Sequence, residues 1–363
     1  MKCILHIGTE KTATTTIQEF LHCNRQALFQ LGYLYTKSAG LRNNWRLPVA
    51  AYDVTRKDDL TRRHGLDTDE KLLRFQTRSI NNLRKELDGA GAFSVTVFSS
   101  EHIQSRLRTS SEVSRLKALL NQLGYDEIQV LVYLRQPVDI VNSIYSTAVK
   151  GGLTEASPHL PDHKYYKNVC DHRTTLKRFS DVFGEDSVQP RLFGKQEFKD
   201  RCLISDFLAA IGLSHAKASF HFPTIKNERL SGVGIEILRR VNQRVPAFID
   251  ERPNPHRRAK FVNYFSEYLK GGAAYSMPEE LFRQYEIAFA ESNEWVREKY
   301  FPEREKLFPK AKHLCVDRVD LAQSELDSIA NMVSTMWLDR LTMPTERVLT
   351  LIWQLRQKVR HLL

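Results

Sequence analysis

The apolar and polar positions of the chain predict strands that alternate with helices over its first two-thirds. Four short segments are mostly apolar and are bounded by turn residues, which is typical of buried strands. The clearest of them reads IQVLVYL. The predicted strands are residues 2–8, 93–98, 128–134 and 187–193.

Between these segments, apolar residues recur at the three- and four-residue steps of an amphipathic helix, as Ile17, Phe20 and Leu21 do. Residues 33–65 read as a loop with a short helix. Because parallel strands need crossover connections, the alternation predicts an α/β fold with a central parallel sheet. The predicted helices are residues 14–31, 68–88, 110–123, 138–149, 171–183 and 203–211.

After residue 225 the pattern predicts almost only helices. No Pro-, Gly- or Ser-rich linker marks an independent domain. The sequence therefore predicts an α/β core over residues 1–225 and a largely helical C-terminal part over residues 226–363, packed on the core. The predicted C-terminal helices are residues 231–244, 256–269, 279–300, 322–341 and 344–362.

Charge and composition narrow the classes of function. The 363 residues include 54 Lys and Arg against 43 Asp and Glu, a net charge of +11, which favours anionic partners. The five cysteines lack metal-ligand spacing, so no metal site is expected. No helix-turn-helix, RNP or zinc pattern indicates nucleic acid as a partner. No transmembrane segment or signal peptide is recognised, so a cytoplasmic protein is expected.

The first predicted strand ends at Gly8, and a helix begins near Thr14, in the segment HIGTEKTATTTIQEFL. A helix N-terminus offers unpaired N–H groups to an anion, and Lys11 adds a positive charge. A threonine-capped helix without a ligand is the alternative. Four threonines add hydroxyl donors at this point: Thr12, Thr14, Thr15 and Thr16.

This loop differs from the ATP-binding P-loop GxxxxGK[ST]. Ala13 and Thr14 stand where that motif requires Gly and Lys, and Lys11 comes three places early. The strand 128–134 is followed by Arg135 rather than by an aspartate that could hold Mg²⁺. The loop therefore indicates phosphate binding of a P-loop-like kind, but not binding of Mg·ATP.

Arg135 and Ser143 form a second candidate anion site. Arg135 follows a buried strand, where α/β proteins place ligand contacts, and its planar guanidinium suits phosphate. Ser143 lies eight residues further on, in the next predicted helix. An ion pair between Arg135 and Asp139 is the alternative reading.

Together the two segments resemble the family of sulfotransferases that use PAPS (3′-phosphoadenosine 5′-phosphosulfate). That family carries a K-T-G-T-T segment, matched here by residues 11–15, and later R-x-P-x₅-S, matched by Arg135, Pro137 and Ser143. Its bacterial members often modify saccharides. The family usually has glycine where this chain has Ala13, and a methyl group is tolerated there if the local φ is negative.

The resemblance implies a three-layer, P-loop-like fold and transfer of a sulfuryl group from PAPS, without a metal, to a hydroxyl or amine. Lys11 would neutralise the leaving oxygen. The backbone N–H groups and hydroxyls of Thr12, Ala13, Thr14, Thr15 and Thr16 would hold the 5′-phosphate, with Gly8 at the start of this donor site, and Arg135 with Ser143 would hold the 3′-phosphate. The product would be adenosine 3′,5′-bisphosphate. The implied acceptor is a saccharide or glycolipid, which the C-terminal helices could help to bind; peripheral membrane contact and a homo-oligomer are compatible with this.

Glu101 is the first candidate for the general base and His102 the second, because both follow the predicted strand 93–98. For either residue the alternative is a side chain that only stabilises or caps a helix N-terminus. A substrate-binding role is also considered for Arg42, Asn43, Asn44 and Arg46. The competing functions are a P-loop-type kinase for a small molecule or sugar and a non-enzymatic, basic glycan-binding protein.

Overall fold

A five-stranded parallel sheet is the central element of the chain in a computed structural model, which describes residues 1–223, 230–249, 252–254, 261–309 and 323–342. The strands are β1 (Lys2–His6), β2 (Tyr33–Tyr35), β3 (Val95–Ser99), β4 (Glu127–Leu134) and β5 (Val188–Leu192). Their order is β2-β3-β1-β4-β5, and every neighbouring pair is parallel. β1, the first strand of the chain, is thus central.

Helices connect the strands and make up most of the rest of the described chain. A separate two-stranded antiparallel sheet is formed by β6 (Phe248–Ile249) and β7 (Arg252–Pro253). The helix predicted over 344–362 lies outside the described residues. The helices are α1 (Thr14–Cys23), α2 (Arg25–Gln30), α3 (Arg46–Ala50), α4 (Asp59–Arg63), α5 (Asp69–Gly89), α6 (Glu101–Arg106), α7 (Ser110–Gln122), α8 (Pro137–Lys150), α9 (Lys164–Cys170), α10 (His172–Phe183), α11 (Leu203–Ala210), α12 (Gly232–Arg244), α13 (Phe261–Tyr268), α14 (Glu279–Tyr300) and α15 (Gln323–Thr342).

Several elements differ from the sequence prediction. No helix is predicted at α6 or α9 and no strand at β6 or β7, and two further differences lie near the N-terminus. Strand β2 lies inside a segment predicted as loop and short helix, because three residues are too few to show a period. The helix predicted over 14–31 is divided into α1 and α2 at Asn24. The Asn24 side-chain amide donates to the Phe20 carbonyl of α1 at 2.8 Å and to the carbonyl of the distant His221 at 2.7 Å, so it connects the end of α1 to another segment of the chain.

Alternate residues of the central strands face opposite layers, as the two-residue period of a strand requires. Cys3 and Leu5 of β1 pack in one apolar cluster with residues of α5, α7 and α10. Ile4 packs on the other face in a cluster with residues of α1, α2 and α11. The predicted three-layer α/β fold with a central parallel sheet is therefore confirmed.

The chain divides into two compact units. The first contains residues 1–144, 159–225 and 280–312, and the second contains residues 145–158, 226–279 and 313–363. In the second unit, α12, α13 and α15 enclose an apolar cluster of their own around Phe265. The roles predicted for residues 1–225 and 226–363 stay predictions.

Candidate functional site

Three neighbouring strands, β3, β1 and β4, end at the same edge of the sheet, and each is followed by residues that the sequence singles out. Glu101 begins α6 two residues after β3 ends, the loop of residues 8–13 follows β1, and Arg135 follows β4 directly. Ligands of open α/β sheets bind at this carboxyl edge. The fold therefore brings the two segments that are predicted to bind anions, and the candidate base, to one edge of the sheet.

The loop after β1 is held in place by main-chain hydrogen bonds to β4. The Tyr133 N–H donates to the Gly8 carbonyl at 2.7 Å, and the Thr9 N–H donates to the Tyr133 carbonyl at 3.0 Å. The buried Thr12 hydroxyl donates to the Thr9 carbonyl at 2.7 Å, across the turn. Thr12 thus stabilises the turn of the loop that leads into the N-terminus of α1.

The threonines at the start of α1 differ in exposure. Thr14 is buried, Thr15 is exposed and Thr16 is half-buried, with its N–H donating to the Ala13 carbonyl at 2.9 Å. Because Thr15 projects to the surface at this end of the helix, its hydroxyl is the most accessible of the three. Their binding of phosphate stays a prediction.

The φ angle of Ala13 is positive, whereas its methyl group would be tolerated without strain only at a negative φ. Its φ is +54°, in the left-handed region, and it precedes the first turn of α1. A Cβ in this conformation costs about 1–2 kcal/mol, which glycine avoids. The backbone at position 13 therefore takes a conformation that favours glycine, although the residue is alanine.

Gly8 places the loop directly against Glu101. Its φ is +106°, and a Cβ built there would lie 3.1 Å from the Glu101 Cα and 3.2 Å from the Glu101 Cβ. Both the backbone conformation and the close approach favour glycine. The loop that carries Lys11 and the helix that carries Glu101 are thus in van der Waals contact.

Two amide side chains orient the half-buried Glu101 carboxylate. Gln18 Nε2, from α1, and Asn43 Nδ2 donate to Glu101 Oε2 at 2.8 and 2.9 Å. Within the described part of the chain, no side chain donates to Glu101 Oε1. The carboxylate is thus held in place through Oε2 by two side chains that are distant from it in sequence.

Asn43 reaches Glu101 because the segment before it makes a tight turn. The backbone N–H of Asn44 donates to the Ser99 carbonyl at 3.0 Å, and the Ser99 N–H donates to Asn44 Oδ1 at 2.9 Å. Gly40, at φ +133°, packs so closely that an added Cβ would lie 2.1 Å from the Asn43 carbonyl oxygen. The turn therefore depends on glycine at position 40.

We expect Gly40→Ala to lower the free energy of unfolding by about 2–4 kcal/mol, because it combines a disfavoured φ with a clash against backbone. Denaturant unfolding measures the effect. The matched control is Gly65→Ala: its φ is +67°, but no atom lies within 4 Å of the added Cβ, so only the conformational cost of about 1 kcal/mol applies. Equal losses in the two variants would contradict the close packing at Gly40.

Arg135 contacts the lysine loop. Its Nη1 donates to the Lys11 carbonyl at 2.9 Å, and its guanidinium lies over the Phe193 ring at 5.5 Å. The ion pair with Asp139 that the sequence offered as an alternative is long, at 3.9 Å from Nε. Arg135 thus makes a direct contact between the loop after β1 and the segment after β4, whereas the sequence predicted only that both lie at the same edge of the sheet.

The backbone of Arg135 is fixed by a buried histidine. His172 Nε2 lies 2.8 Å from the Arg135 carbonyl oxygen. Burial lowers the pKa of His172 to about 4, so the ring is neutral at pH 7 and Nε2 carries the proton that it donates. The buried His172 side chain therefore fixes the backbone of Arg135 at the end of β4.

The other candidate residues take separate positions. Ser143 lies in α8 and is half-buried, and its contact with a 3′-phosphate stays a prediction. His102 is half-buried, and among the described residues its Nδ1 has no hydrogen-bond partner. His6 is fully buried, with Nδ1 2.8 Å from Ser99 Oγ, and burial lowers its pKa to about 3, so it is a neutral core residue.

Of the four residues considered for substrate binding, Asn43 is the one that contacts Glu101. Arg42 pairs instead with Glu19, at 2.9 Å, and Asn44 is buried at the end of β3. Arg46 lies over the Trp45 ring at 5.7 Å. Their contacts with a substrate stay predictions.

Three residues of this region were not found by sequence reasoning. Gln18 holds Glu101, and Tyr165 of α9 donates from its hydroxyl to Glu10 Oε2, in the loop next to Lys11. Glu10 could have been noticed from its place beside the lysine. Gln18 and Tyr165 lie outside both motifs, and only the folded chain brings them to the site.

No group of three or more His, Cys, Asp or Glu side chains among the described residues is placed to hold a metal ion. None of the helices that the structure describes combines the length and the apolar character needed to cross a membrane.

Comparisons with known proteins do not assign the chain to a family. No family model matches it. A protein of Archaeoglobus fulgidus, itself described as uncharacterized, is 25% identical over 178 residues, which are 48% of this chain and 46% of that protein. The chain thus matches less than half of that relative's length.

Two solved structures show a distant likeness. A sulfotransferase from Alicyclobacillus acidocaldarius is 14% identical, with a TM-score of 0.38 over 81% of this chain and 94% of its own. A structure of the PezAT chromosomal toxin–antitoxin system of Streptococcus pneumoniae is also 14% identical, with a TM-score of 0.29 over 67% of this chain and 84% of its own. Similarity at this level assigns no activity.

Proposed function

We propose that the protein is a sulfotransferase that moves the sulfuryl group of PAPS to a hydroxyl or amine of an acceptor. The observation that carries the proposal is the contact of Arg135 Nη1 with the Lys11 carbonyl at 2.9 Å. It joins an arginine suited to a 3′-phosphate with a lysine-containing loop and helix N-terminus suited to a 5′-phosphate. A donor with phosphates at both positions fits this pair of sites better than a triphosphate.

In the proposed reaction the acceptor oxygen or nitrogen attacks sulfur, and the bond from sulfur to the 5′-phosphate oxygen breaks. Adenosine 3′,5′-bisphosphate leaves, with negative charge developing on that oxygen. Lys11 stabilises this charge from the loop, a preorganised electrostatic role. Glu101 takes the proton of the acceptor, since it lies against the loop at Gly8 and its carboxylate is oriented by Gln18 and Asn43. His102 is the second candidate for this role.

A hydroxyl-rich acceptor, a saccharide or glycolipid, is supported by unpaired polar atoms beside Glu101. Asn43 Oδ1, Ser100 Oγ and His102 Nδ1 are buried and have no hydrogen-bond partner among the described residues. Buried polar groups are normally paired, so ligand hydroxyls are suitable partners. The net charge of +11 also favours an acidic sugar.

Calorimetric titration with adenosine 3′,5′-bisphosphate, and separately with Mg·ATP, tests the donor. We expect binding of the bisphosphate at about micromolar strength and no binding of Mg·ATP, because the position after β4 holds Arg135 and not a metal-binding carboxylate. Binding of Mg·ATP alone would replace the proposal with a kinase. Binding of neither, together with salt-sensitive binding of acidic glycans, would indicate a non-enzymatic glycan-binding protein.

A further inference from the structure

The backbone around Lys11 is constrained on both sides. Arg135 Nη1 donates to the Lys11 carbonyl at 2.9 Å, and the Tyr165 hydroxyl donates to the carboxylate of the preceding residue, Glu10. Lys11 itself has a φ of +65°, in the left-handed region that non-glycine residues rarely adopt. Such a conformation persists only where its surroundings stabilise it. These two contacts therefore help to fix the position and direction of the Lys11 Cα–Cβ bond.

Tyr165 is suited to hold Glu10 because it stays a neutral donor. Burial, and then the neighbouring Glu10 carboxylate, raise the pKa of Tyr165 far above its usual range. The guanidinium of Arg106 lies 5.9 Å from the centre of the Tyr165 ring and pairs with Asp59 at 3.1 Å. The phenol therefore stays protonated and donates a charge-assisted hydrogen bond to the Glu10 carboxylate.

The helix that carries Tyr165 is bound to the helix that carries Glu101. Asn168 Nδ2, in α9, donates to the Ser105 carbonyl of α6 at 3.1 Å, and Gln104 Nε2 donates back to the Asn168 carbonyl at 2.9 Å. The two helices thus share side-chain to backbone hydrogen bonds. Through α9, the position of the lysine loop is linked to the helix of the proposed base.

We propose that Tyr165 is a positioning residue: by holding Glu10, it fixes the loop conformation that presents Lys11 to the phosphosulfate. The inference rests on the proposed function and adds to it a residue that neither motif contains. In this role Tyr165 acts through Glu10 and the loop backbone.

The test is a double-mutant cycle on binding of adenosine 3′,5′-bisphosphate, measured by calorimetry with the full chain. We expect Tyr165→Phe, which removes only the hydroxyl, to weaken binding about 3- to 10-fold, since a hydrogen bond to a carboxylate is lost. Lys11→Ala should weaken binding by about 10-fold or more. The double variant should bind no more than about 2-fold more weakly than Lys11→Ala alone, because Tyr165 acts through the lysine loop.

Tyr166→Phe is the matched control, since Tyr166 is the next residue of α9 and is buried against His159, His163 and Tyr285 rather than the loop. It should leave binding unchanged within about 2-fold. Glu10→Ala should reproduce the loss seen in Tyr165→Phe, and combining the two should add nothing.

The outcomes separate the two proposals. Suppose that the unaltered protein binds the bisphosphate, that Arg135→Ala weakens this binding and that Tyr165→Phe does not. The positioning role of Tyr165 is then wrong, and the proposed function stands. The role would also be wrong if the double variant lost affinity by the product of the two single fold-losses, because Tyr165→Phe and Lys11→Ala would then act independently. If the unaltered protein does not bind the bisphosphate, both proposals fail.

Discussion

Glu101→Gln is expected to lower the rate of sulfuryl transfer by about 10²- to 10⁴-fold, the usual contribution of a general base. Glutamine keeps the size of glutamate, and its amide oxygen can still accept from Gln18 and Asn43, as Glu101 Oε2 does. The variant therefore removes the capacity to take a proton while the site keeps its shape. The measurement is the initial rate with labelled PAPS and an acceptor found by screening glycans, together with calorimetric binding of the bisphosphate.

Glu70→Gln is the matched control for this prediction, because Glu70 is an exposed carboxylate on α5 that pairs with Arg74 of the same helix. It should change the transfer rate by less than about 2-fold. If Glu101→Gln binds the bisphosphate normally and keeps more than about half of the transfer rate, Glu101 is not the base. His102→Gln would then be the next variant to measure.

Arg135→Ala is expected to weaken binding of adenosine 3′,5′-bisphosphate by about 100-fold. The change removes a charged donor fork, worth about 2–3 kcal/mol in hydrogen bonds to phosphate, and also the contact with the Lys11 carbonyl. The affinity of Arg135→Lys for the bisphosphate should lie between those of the unaltered protein and Arg135→Ala, since lysine keeps the charge but not the planar guanidinium. Calorimetry with the bisphosphate and with adenosine 5′-monophosphate measures the effect.

The comparison of the two nucleotides shows which phosphate Arg135 contacts. If it holds the 3′-phosphate, the variant should lose most of the preference for the bisphosphate over the monophosphate. Arg62→Ala, which removes one positive charge from an exposed position on α4, should leave both affinities unchanged within about 2-fold. An Arg135→Ala variant that binds the bisphosphate as the unaltered protein does would remove the main support for the proposed donor.

The main elements of the site could be predicted because parallel strands align their ends. Once 2–8 and 128–134 are taken as neighbouring strands of one parallel sheet, the loop at Gly8 and Arg135 must lie at the same edge. Apolar runs of this kind are strong local signals. The fold class follows from the same alternation of strands and helices.

The supporting residues could not be predicted because their partners are distant in sequence. Asn43 lies 58 residues before Glu101, and Tyr165 lies 155 residues after Glu10. Neither belongs to a periodic pattern, and each contributes a single hydrogen bond that depends on where a loop or helix docks. The left-handed φ of Ala13 was missed for a related reason, because alanine gives no local signal for that conformation.

The order of the two compact units along the chain has a consequence for synthesis on the ribosome. Residues 280–312 belong to the first unit, and Val296 and Leu307 are buried in the apolar cluster that contains Cys3 and Leu5. At about 5–20 residues per second, the ribosome needs several seconds to reach them after residue 225. During that interval the nascent first unit lacks part of its core, so its last closing step awaits a segment that emerges after residues 226–279.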